Sequence, residues 1–219
     1  MKRKENRSKA DEAYEILEEM IITLKLQPGS NWSEKELSEL IGIGRMPVRE
    51  SLKKLETSHL VKVVPRLGIH ISEITLESLS LQMEVRRLLE KLTARRAARF
   101  STPDERKIFL QMALDYEDAT SKGDTLRAVK IDNQFNEFIA DCARNRFAKE
   151  ALRPLHALAR RLYYMQYDIN TDLVKEINNA HCALMRAVAG GDESVAAQEA
   201  DSLLDQIEKL YKEALNVYF

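Results

Sequence analysis

The chain has 219 residues, enough for one large domain or two modest ones, and its 34 basic and 35 acidic side chains give a formal net charge of −1. This near-neutral total gives no global indication of nucleic-acid binding, and no apolar run approaches the roughly 20 residues of a membrane span, so we expect no membrane partner. Only seven glycines and five prolines interrupt the sequence, which favours a mostly α protein.

The first part of the chain, residues 10–75, is predicted to form three helices and a β-hairpin. Apolar residues recur at helical spacing over residues 11–26, and "QPGS" ends that helix. A second helix over 33–42 opens with a Ser33–Glu36 capping box, with Leu37, Leu40 and Ile41 expected to face inward. After a third helix over about 45–59, apolar residues alternate around "PRLG", which predicts two strands and a turn.

The second part, residues 76–219, shows no strand pattern. We predict about six helices, over 76–100, 103–121, 124–143, 146–168, 171–189 and 193–217, with "KGD" and "GGD" among the breaks between them. The two cysteines, Cys142 and Cys182, form no CxxC motif and are interpreted as buried thiols in a reducing cytoplasm. The sequence therefore predicts two domains with a boundary near residue 75.

Positive charge is concentrated in two short segments. Residues 1–9 carry five bases and one acid, and residues 40–71 carry six bases and two acids, so each segment has a local charge of +4. A small basic footprint on a neutral protein suits a local contact with phosphates. The tail over 1–9 is equally expected of a basic, disordered and merely solubilising terminus.

Three helices followed by a two-stranded wing are the pattern of a winged helix-turn-helix, in which the third helix enters the DNA major groove with its N-terminal residues leading. Arg45 and Arg49 lie one turn apart on a face that excludes the apolar side of this helix. Both guanidiniums are then expected to be free for guanine edges or phosphates. The alternative is that the two arginines only solvate a surface helix.

Residues 24–74 closely resemble the DNA-binding domain of GntR-family transcription regulators. The residues that carry the resemblance are Pro28-Gly29, Gly42, Arg45, Pro47-Val48-Arg49-Glu50, Leu52, Leu60-Val61 and Gly68. The resemblance implies that Arg45 and Arg49 read bases or nearby phosphates and that Lys35 touches the DNA backbone. It also implies that the wing approaches the minor groove, through Arg66, Gly68 and His70.

Three positions depart from the family pattern. Gly44 replaces the usual serine cap and removes one hydroxyl from the DNA side, although glycine is a tolerable cap. Met46 replaces a threonine and offers an apolar side chain for a thymine methyl. His59 replaces a glycine at a junction where a left-handed backbone is expected. From the three departures together, we expect the target DNA sequence to differ from the commonest operators of the family.

The second domain resembles, more loosely, the FadR-type (FCD) domain of the same family, an antiparallel helical bundle that binds small carboxylic acids and mediates dimerisation. Many relatives hold a divalent metal there through an aspartate and three histidines. The corresponding residues of this chain are Asp132, Asn136, His181 and Leu203. Because two of the four ligands are missing, we expect no required cofactor, with Asp132 and His181 as the remnant of the site.

The loss of metal ligands favours an effector held directly by protein groups. Arg86 stands where the family has an arginine before "LE" on the first bundle helix, and the resemblance makes it a candidate to pair with an effector carboxylate in a forked geometry. Asp132, Asn136 and His181 are the other candidate effector residues. The alternatives are that His181 is a core histidine and Arg86 a surface or interface base. His156 is a candidate replacement ligand, although a lone histidine on an amphipathic helix is more often structural. Three tyrosines are expected to line the bundle or a dimer interface, with one of them a candidate to close the pocket: Tyr163, Tyr164 and Tyr167.

The sequence thus predicts a cytoplasmic, nucleoid-associated regulator of bacterial type, a repressor that binds a palindromic double-stranded operator as a homodimer and responds to a small organic acid. A constitutive DNA-binding dimer without a ligand is the alternative. A metal-dependent enzyme on a helical bundle is a third interpretation, which the sequence disfavours because it contains no HExxH, CxxC or phosphate-binding loop.

Overall fold

The computed structural model describes residues 8–169 and 171–218, which form two compact units, one ending at Ile74 and the other beginning at Thr75. Residues 1–7 of the predicted basic tail lie outside the described residues. Ser8 caps the first helix through its side chain and Lys9 begins it, so the last two tail residues already belong to the folded unit.

The first unit is a winged helix-turn-helix, as predicted. Its elements in chain order are α1 (Lys9–Ile22), β1 (Asn31–Trp32), α2 (Glu34–Ile41), α3 (Arg45–Thr57), β2 (Val61–Val64) and β3 (Gly68–Ile71). The strands form one antiparallel sheet in the order β1-β3-β2. One face of each helix is buried in a shared core with the sheet, whose members include Leu17, Ile21, Leu37, Val48, Leu52, Leu55, Leu60, Ile69 and Ile71.

Three details of the first unit differ from the sequence prediction. The first helix ends at Ile22 because Leu24 adopts a left-handed backbone, with φ of 59°. The two-residue strand β1 was not predicted, since only its pairing with β3 identifies it: Asn31 opposes His70. Leu40 is 49% exposed, so the inward position predicted for it is wrong.

Two backbone positions near the wing are left-handed. His59, at the junction between α3 and β2, has φ of 57°, which confirms the conformation expected where the family has glycine. Gly68, at the start of β3, has φ of 91°, and a Cβ added there would lie 2.5 Å from the Trp32 carbonyl oxygen. The wing therefore approaches β1 so closely that only glycine fits at position 68.

The second unit consists, within its described residues, of six helices: α4 (Leu76–Phe100), α5 (Pro103–Ser121), α6 (Thr125–Cys142), α7 (Arg146–Gln166), α8 (Thr171–Gly190) and α9 (Glu193–Tyr218). The predicted helical bundle is confirmed, with α4 packed on α9, α5 on α8, and α6 between α5 and α7. Cys142 and Cys182 are both buried free thiols. Of the helices in the described part of the chain, none has the length and apolarity needed to cross a membrane.

Candidate nucleic-acid interface and helical-domain cavity

The N-terminus of α3 presents polar and apolar side chains to solvent. Gly44 is its N-cap and supplies no side-chain hydrogen bond, so the first backbone N–H groups of the helix are uncapped by any side chain. Arg45 is exposed and Met46 is 63% exposed, while Val48 is fully buried beneath them. The helix start therefore offers a cation, a flexible apolar group and N–H donors, a combination suited to phosphates and base edges.

Arg49 is exposed on the same helix but is not free, which corrects the sequence prediction. Its Nε donates to both carboxylate oxygens of Glu34 at 2.9 and 3.1 Å, and its Nη2 donates to Glu34 Oε2 at 2.6 Å. The hydrogen bond from Arg49 lowers the pKa of Glu34, although partial burial of the carboxyl opposes that shift. Arg49 and Glu34 thus form a forked ion pair that joins α3 to α2.

The N-terminus of α2 is where the recognition helix and the wing meet. Glu34, the first residue of α2, binds Arg49 of α3. Gly68 of the wing lies so close to the N-cap of α2 that a Cβ added to this glycine would be 3.6 Å from Ser33 Cα. Lys35 follows Glu34, is exposed, and lies 3.8 Å from Glu39 on the next turn. Lys35, which is predicted to contact the DNA backbone, therefore lies at the same end of α2 as the Arg49–Glu34 ion pair.

The wing is anchored at one side and exposed at its tip. His70 Nδ1 lies 3.0 Å from Asn31 Oδ1 of β1, so the side chain of His70 is tied to the sheet. The turn before Gly68 exposes Arg66, whose φ is 68°, and Leu67, which is 66% exposed. Of the predicted wing residues, Arg66 is therefore exposed at the turn, while His70 lies further back along β3 and is less exposed.

The second unit encloses a cavity between its helices. The cavity has a volume of about 40 Å³, and the empty space reaches about 540 Å³ when its open mouth is included. The lining combines charged groups with an apolar wall contributed mainly by α6, α8 and α9: Val129, Ile177, Leu203, Ile207 and Leu210. A small polar molecule with an apolar part matches such a lining.

A buried ion pair of α4 contributes to the lining of the cavity. Arg86 Nε donates to Glu90 Oε1 at 2.6 Å, and Arg86 Nη1 donates to the Tyr211 hydroxyl at 3.2 Å. His156 Nε2 lies 3.2 Å from the same Glu90 oxygen. Burial would raise the pKa of Glu90, but the charge of Arg86 and the hydrogen bond from His156 outweigh it and lower that pKa to about 2.

A second charged cluster in the lining consists of Asp132, His181 and Asn136. His181 Nε2 lies 3.0 Å from Asp132 Oδ1, and Asn136 Nδ2 donates to Asp132 Oδ2 at 3.1 Å. Burial disfavours the Asp132 carboxylate, yet its pKa is lowered, because His181 hydrogen-bonds it and Arg160 and His156 add positive charge. His181 Nδ1 also faces an acceptor, the Ile177 carbonyl oxygen at 2.9 Å, so the ring donates both bonds only when both nitrogens carry protons.

Two tyrosines complete the lining. The hydroxyls of Tyr116 and Tyr163 both donate to Asn178 Oδ1, at 3.1 and 2.7 Å, and the Tyr116 ring lies 5.4 Å from the His181 ring. Burial raises the pKa of both phenols, so each remains a neutral donor. Of the three tyrosines expected in the bundle or an interface, Tyr163 lines the cavity. The ring of Tyr167 packs against that of Tyr163, with 5.9 Å between the ring centroids.

Comparison with known families assigns both units. The profile described as "Bacterial regulatory proteins, gntR family" matches residues 9–71, and the profile of the FCD domain matches residues 82–206, more than half of the chain. The chain belongs to the FCD-domain group of the GntR family. It is a DNA-binding transcription regulator, and the family is one of regulators rather than enzymes.

Individual GntR-family relatives agree with this assignment. The HTH-type transcriptional repressor RspR of Escherichia coli (strain K12) is 27% identical over 155 residues, which cover 71% of this chain and 68% of RspR. The solved structure of E. coli McbR/YncC matches with a TM-score of 0.81 at 20% identity, over 95% of this chain and 99% of that chain. A GntR regulator from Rhodococcus sp. RHA1 matches with a TM-score of 0.73 at 20% identity and the same coverage. The two solved structures share the fold of this chain.

The metal-ligand set of the FCD relatives does not fit this cavity. Asp132 and His181 converge, but each is hydrogen-bonded to the other, Asn136 donates its amide to Asp132, and Leu203 contributes only apolar surface. Over residues 8–169 and 171–218, His, Cys, Asp and Glu side chains nowhere gather in threes in a way that suits a metal ion. An amide and an apolar side chain at two of the four ligand positions are a poor donor set for a metal ion.

Some residues of the cavity lining are evident from the sequence, and others are not. Arg86 is 3% exposed and lines the cavity, so the alternative of a surface base is wrong, and His181 is both buried and part of the lining. His156, interpreted from the sequence as structural, is buried, and its Nε2 lies 3.2 Å from Glu90 Oε1 in the cavity lining. Glu90 was detectable in the sequence, because it follows Arg86 by four residues on one helix, whereas Tyr211 is separated by 125 residues.

Proposed function

We propose that this GntR-family regulator represses transcription by binding a palindromic operator as a homodimer. The observation that carries the proposal is the exposed start of α3, where Arg45 and Met46 flank an uncapped helix N-terminus. One such head makes few base contacts, and a two-fold dimer doubles them over two half-sites. The name of RspR, a transcriptional repressor, supports the sign of the regulation.

In this proposal, each exposed side chain of the first unit has its own contact with the DNA. Arg45 reads a base edge or an adjacent phosphate, Met46 contacts a thymine methyl, and Arg49 contributes the part of its guanidinium that Glu34 leaves available. Lys35 and Arg66 bind backbone phosphates from α2 and from the wing, and Gly68 keeps the wing close to β1. His70 acts mainly by stiffening the wing through Asn31.

The experiment is a gel-shift selection on random duplex DNA at fixed salt, with wild type, Arg45→Ala and Arg49→Ala. Lys107→Ala, an exposed base on α5 of the other unit, is the matched control for loss of one positive charge. We expect wild type and the control to enrich one short palindrome, and each arginine variant to lose about 1–3 kcal/mol of discrimination. Equal enrichment by all four proteins would refute the proposed readout.

We further propose that the cavity binds a small organic acid that lowers operator affinity. The guanidinium of Arg86 supports this, because its Nε and Nη1 bind Glu90 and Tyr211 while Nη2 makes none of the hydrogen bonds found among the described residues. Asn136 and His181 add polar groups to the same lining. An acid that binds the DNA-free arrangement more tightly than the DNA-bound one causes release.

A ligand-independent DNA-binding dimer is the second candidate. It is favoured by the internal pairing of Asp132 with His181 and of Arg86 with Glu90, which leaves few charges of the cavity uncompensated. A thermal-shift panel of small mono- and dicarboxylic acids, each with its neutral amide, separates the two candidates, because a ligand of the folded state raises its stability by mass action.

The control for the panel is the double variant Arg86→Met/Glu90→Gln, which removes the guanidinium without leaving a buried carboxylate unpaired. We expect an acid to raise the melting temperature of wild type, not of the double variant, and to weaken operator binding at the same concentration. If no acid stabilises wild type, the ligand-independent dimer stands.

A further inference from the structure

Helix α4 exposes a line of four apolar side chains. Leu81, Val85, Leu88 and Leu92 are 56, 45, 75 and 39% exposed. Their spacings of 4, 3 and 4 residues place them on one narrow stripe about 16 Å long. We call Leu81, Val85, Leu88 and Leu92 the α4 stripe.

The α4 stripe has the sequence of a helix-pairing seam. Residues spaced alternately by 4 and 3 occupy the a and d positions of a heptad, with Val85 and Leu92 at a and Leu81 and Leu88 at d. The opposite face of α4 is already used within the unit, where Arg86 and Glu90 line the cavity and α9 packs alongside. The stripe is therefore a second apolar face that no described helix covers.

Charges beside the stripe indicate what covers it. Exposed acids, Glu77 and Glu84, lie in the N-terminal half of α4, and exposed bases, Lys91, Arg95 and Arg99, lie in the C-terminal half. Lys91 is paired with Asp201, and Arg95 and Arg99 approach Glu193 only at 3.9 and 3.7 Å. Within the described residues Glu84 has no cation at ion-pair distance. A second α4 running antiparallel sets acidic half against basic half, whereas a parallel one opposes like charges.

We propose that α4 packs antiparallel against α4 of a second copy of this chain, about a two-fold axis near its midpoint. Leu81 then meets the partner's Leu92, Val85 meets the partner's Leu88, and Glu84 approaches the partner's Lys91. A stripe that is symmetric about its own centre is self-complementary, as a two-fold interface requires. This inference rests on the proposed homodimer and names the surface that forms it.

Another exposed apolar pair provides a matched control. On α5, Leu110 and Leu114 are 47 and 56% exposed, comparable with the α4 stripe, but they span a single turn. A glutamate at either position adds the same charge to the same unit. Leu110→Glu therefore tests whether any exposed leucine matters, and Leu88→Glu tests the α4 stripe.

The first experiment measures molar mass against concentration by analytical ultracentrifugation for wild type, Leu88→Glu and Leu110→Glu. We expect a wild-type dimer, an unchanged Leu110→Glu dimer, and a dimer dissociation constant raised on the order of 100-fold by Leu88→Glu, since central interface residues dominate binding energy. Circular dichroism of the resulting monomer must match wild type, because Leu88 is 75% exposed and its replacement removes little buried apolar surface within one chain.

A second experiment tests the orientation through disulfide formation. In an antiparallel pair, Leu81→Cys cross-links with Leu92→Cys when the two variants are mixed, and neither cross-links with itself. In a parallel pair each variant cross-links with itself. The native thiols, Cys142 and Cys182, are buried and do not compete.

The outcomes separate this surface from the proposed function. A monomeric wild type at all concentrations refutes the homodimer and, with it, the α4 pairing. A wild-type dimer that survives Leu88→Glu keeps the proposed function and overturns the α4 stripe as its interface. Self-cross-linking of Leu81→Cys overturns the antiparallel arrangement.

Discussion

Arg49 of the recognition helix α3 is held by Glu34, the first residue of α2, through three hydrogen bonds of 2.6–3.1 Å. The carboxylate neutralises a cation that would otherwise attract any phosphate. It also fixes the guanidinium relative to the helix start that carries Arg45 and Met46. Such an ion pair lowers the electrostatic affinity of the protein for DNA phosphates, which does not depend on DNA sequence. Discrimination between DNA sequences then depends more on how the side chains are positioned against the bases.

The first prediction concerns the charge of Glu34. Glu34→Gln removes the anion but keeps a side chain able to accept one hydrogen bond from Arg49, so we expect tighter binding to non-operator DNA and a poorer ratio of operator to non-operator affinity. The slope of log affinity against log salt should steepen by about one unit, because one more phosphate is neutralised. Fluorescence anisotropy over a salt series measures both quantities.

Glu50→Gln is the control for this prediction, because Glu50 is an exposed acid that directly follows Arg49 on α3. It lowers the negative charge of the same helix by the same amount. If Glu34→Gln and Glu50→Gln shift the salt slope equally, the ion pair has no special role and only net charge matters.

The Arg49–Glu34 pair also illustrates what the sequence could predict. The periodicity of α3 correctly placed Val48, Leu52 and Leu55 in the core, because helical spacing is a local property. It could not predict that Arg49 has a partner, since Glu34 lies 15 residues earlier on a different helix. Strand β1 escaped prediction for the same reason, because its pairing with β3 spans 39 residues between Asn31 and His70.

The second prediction concerns the wing. Gly68→Ala forces a Cβ to within 2.5 Å of the Trp32 carbonyl oxygen and strains a backbone with φ of 91°. We expect the free energy of unfolding of the first unit to fall by at least about 2 kcal/mol. Trp32 is the only tryptophan of the chain, so urea unfolding followed by tryptophan fluorescence reports this unit.

Gly190→Ala is the matched glycine control. Gly190 ends α8 in the other unit, and a Cβ there meets nothing within 4 Å. We expect its tryptophan transition to coincide with that of wild type. A Gly68→Ala protein that unfolds at the wild-type urea concentration would mean that the wing can move away from β1 at little cost.

The cavity of the second unit shows the same division between local and distant information. The Arg86–Glu90 pair spans four residues of α4, so the sequence contains the signal for it. The role of His156 depends on α7 packing against α4, which a lone histidine on an amphipathic helix does not reveal. Arg86 itself was identified only through the family resemblance.

The third prediction concerns the acid stability of this buried pair. The pKa of Glu90 is lowered to about 2 in the folded protein, against about 4.3 in an unfolded chain. A carboxyl whose pKa is lower in the folded than in the unfolded protein stabilises the fold at pH values above the unfolded pKa. That contribution is lost as the pH falls towards 2. Between these values Glu90 contributes a slope of about 1.4 kcal/mol per pH unit to the unfolding free energy.

Urea unfolding followed by circular dichroism between pH 5 and pH 2.5 tests this slope. Glu90→Gln should flatten it and, at neutral pH, destabilise the second unit by about 3–5 kcal/mol, because Arg86 is left buried without its anion. Arg86→Met/Glu90→Gln should recover part of that loss while keeping the flattened slope. Glu150→Gln, at an exposed acid of α7, serves as the control, and an unchanged slope in Glu90→Gln would show that other carboxyls dominate acid unfolding.

The fourth prediction reverses the loss of metal ligands. Asn136 and Leu203 both line the cavity with Asp132 and His181, so Asn136→His/Leu203→His places three imidazoles and one carboxylate around the same space. We expect the double variant to bind Zn²⁺ or Ni²⁺, with a rise in melting temperature that grows with metal concentration, and wild type to show neither. Isothermal titration calorimetry gives the stoichiometry, which should be one ion per chain.

Asn136→Gln/Leu203→Met is the control, because it changes the size of both side chains without adding imidazoles. If Asn136→His/Leu203→His binds metal while the control and wild type do not, Asp132 and His181 still converge as ligands and can exchange their mutual hydrogen bond for a metal ion. Equal binding by wild type would contradict the conclusion that the present donors do not suit a metal. An absence of binding in the double variant would contradict the convergence of these four positions, and the cavity would then have lost the metal site in its backbone geometry as well as in its ligands.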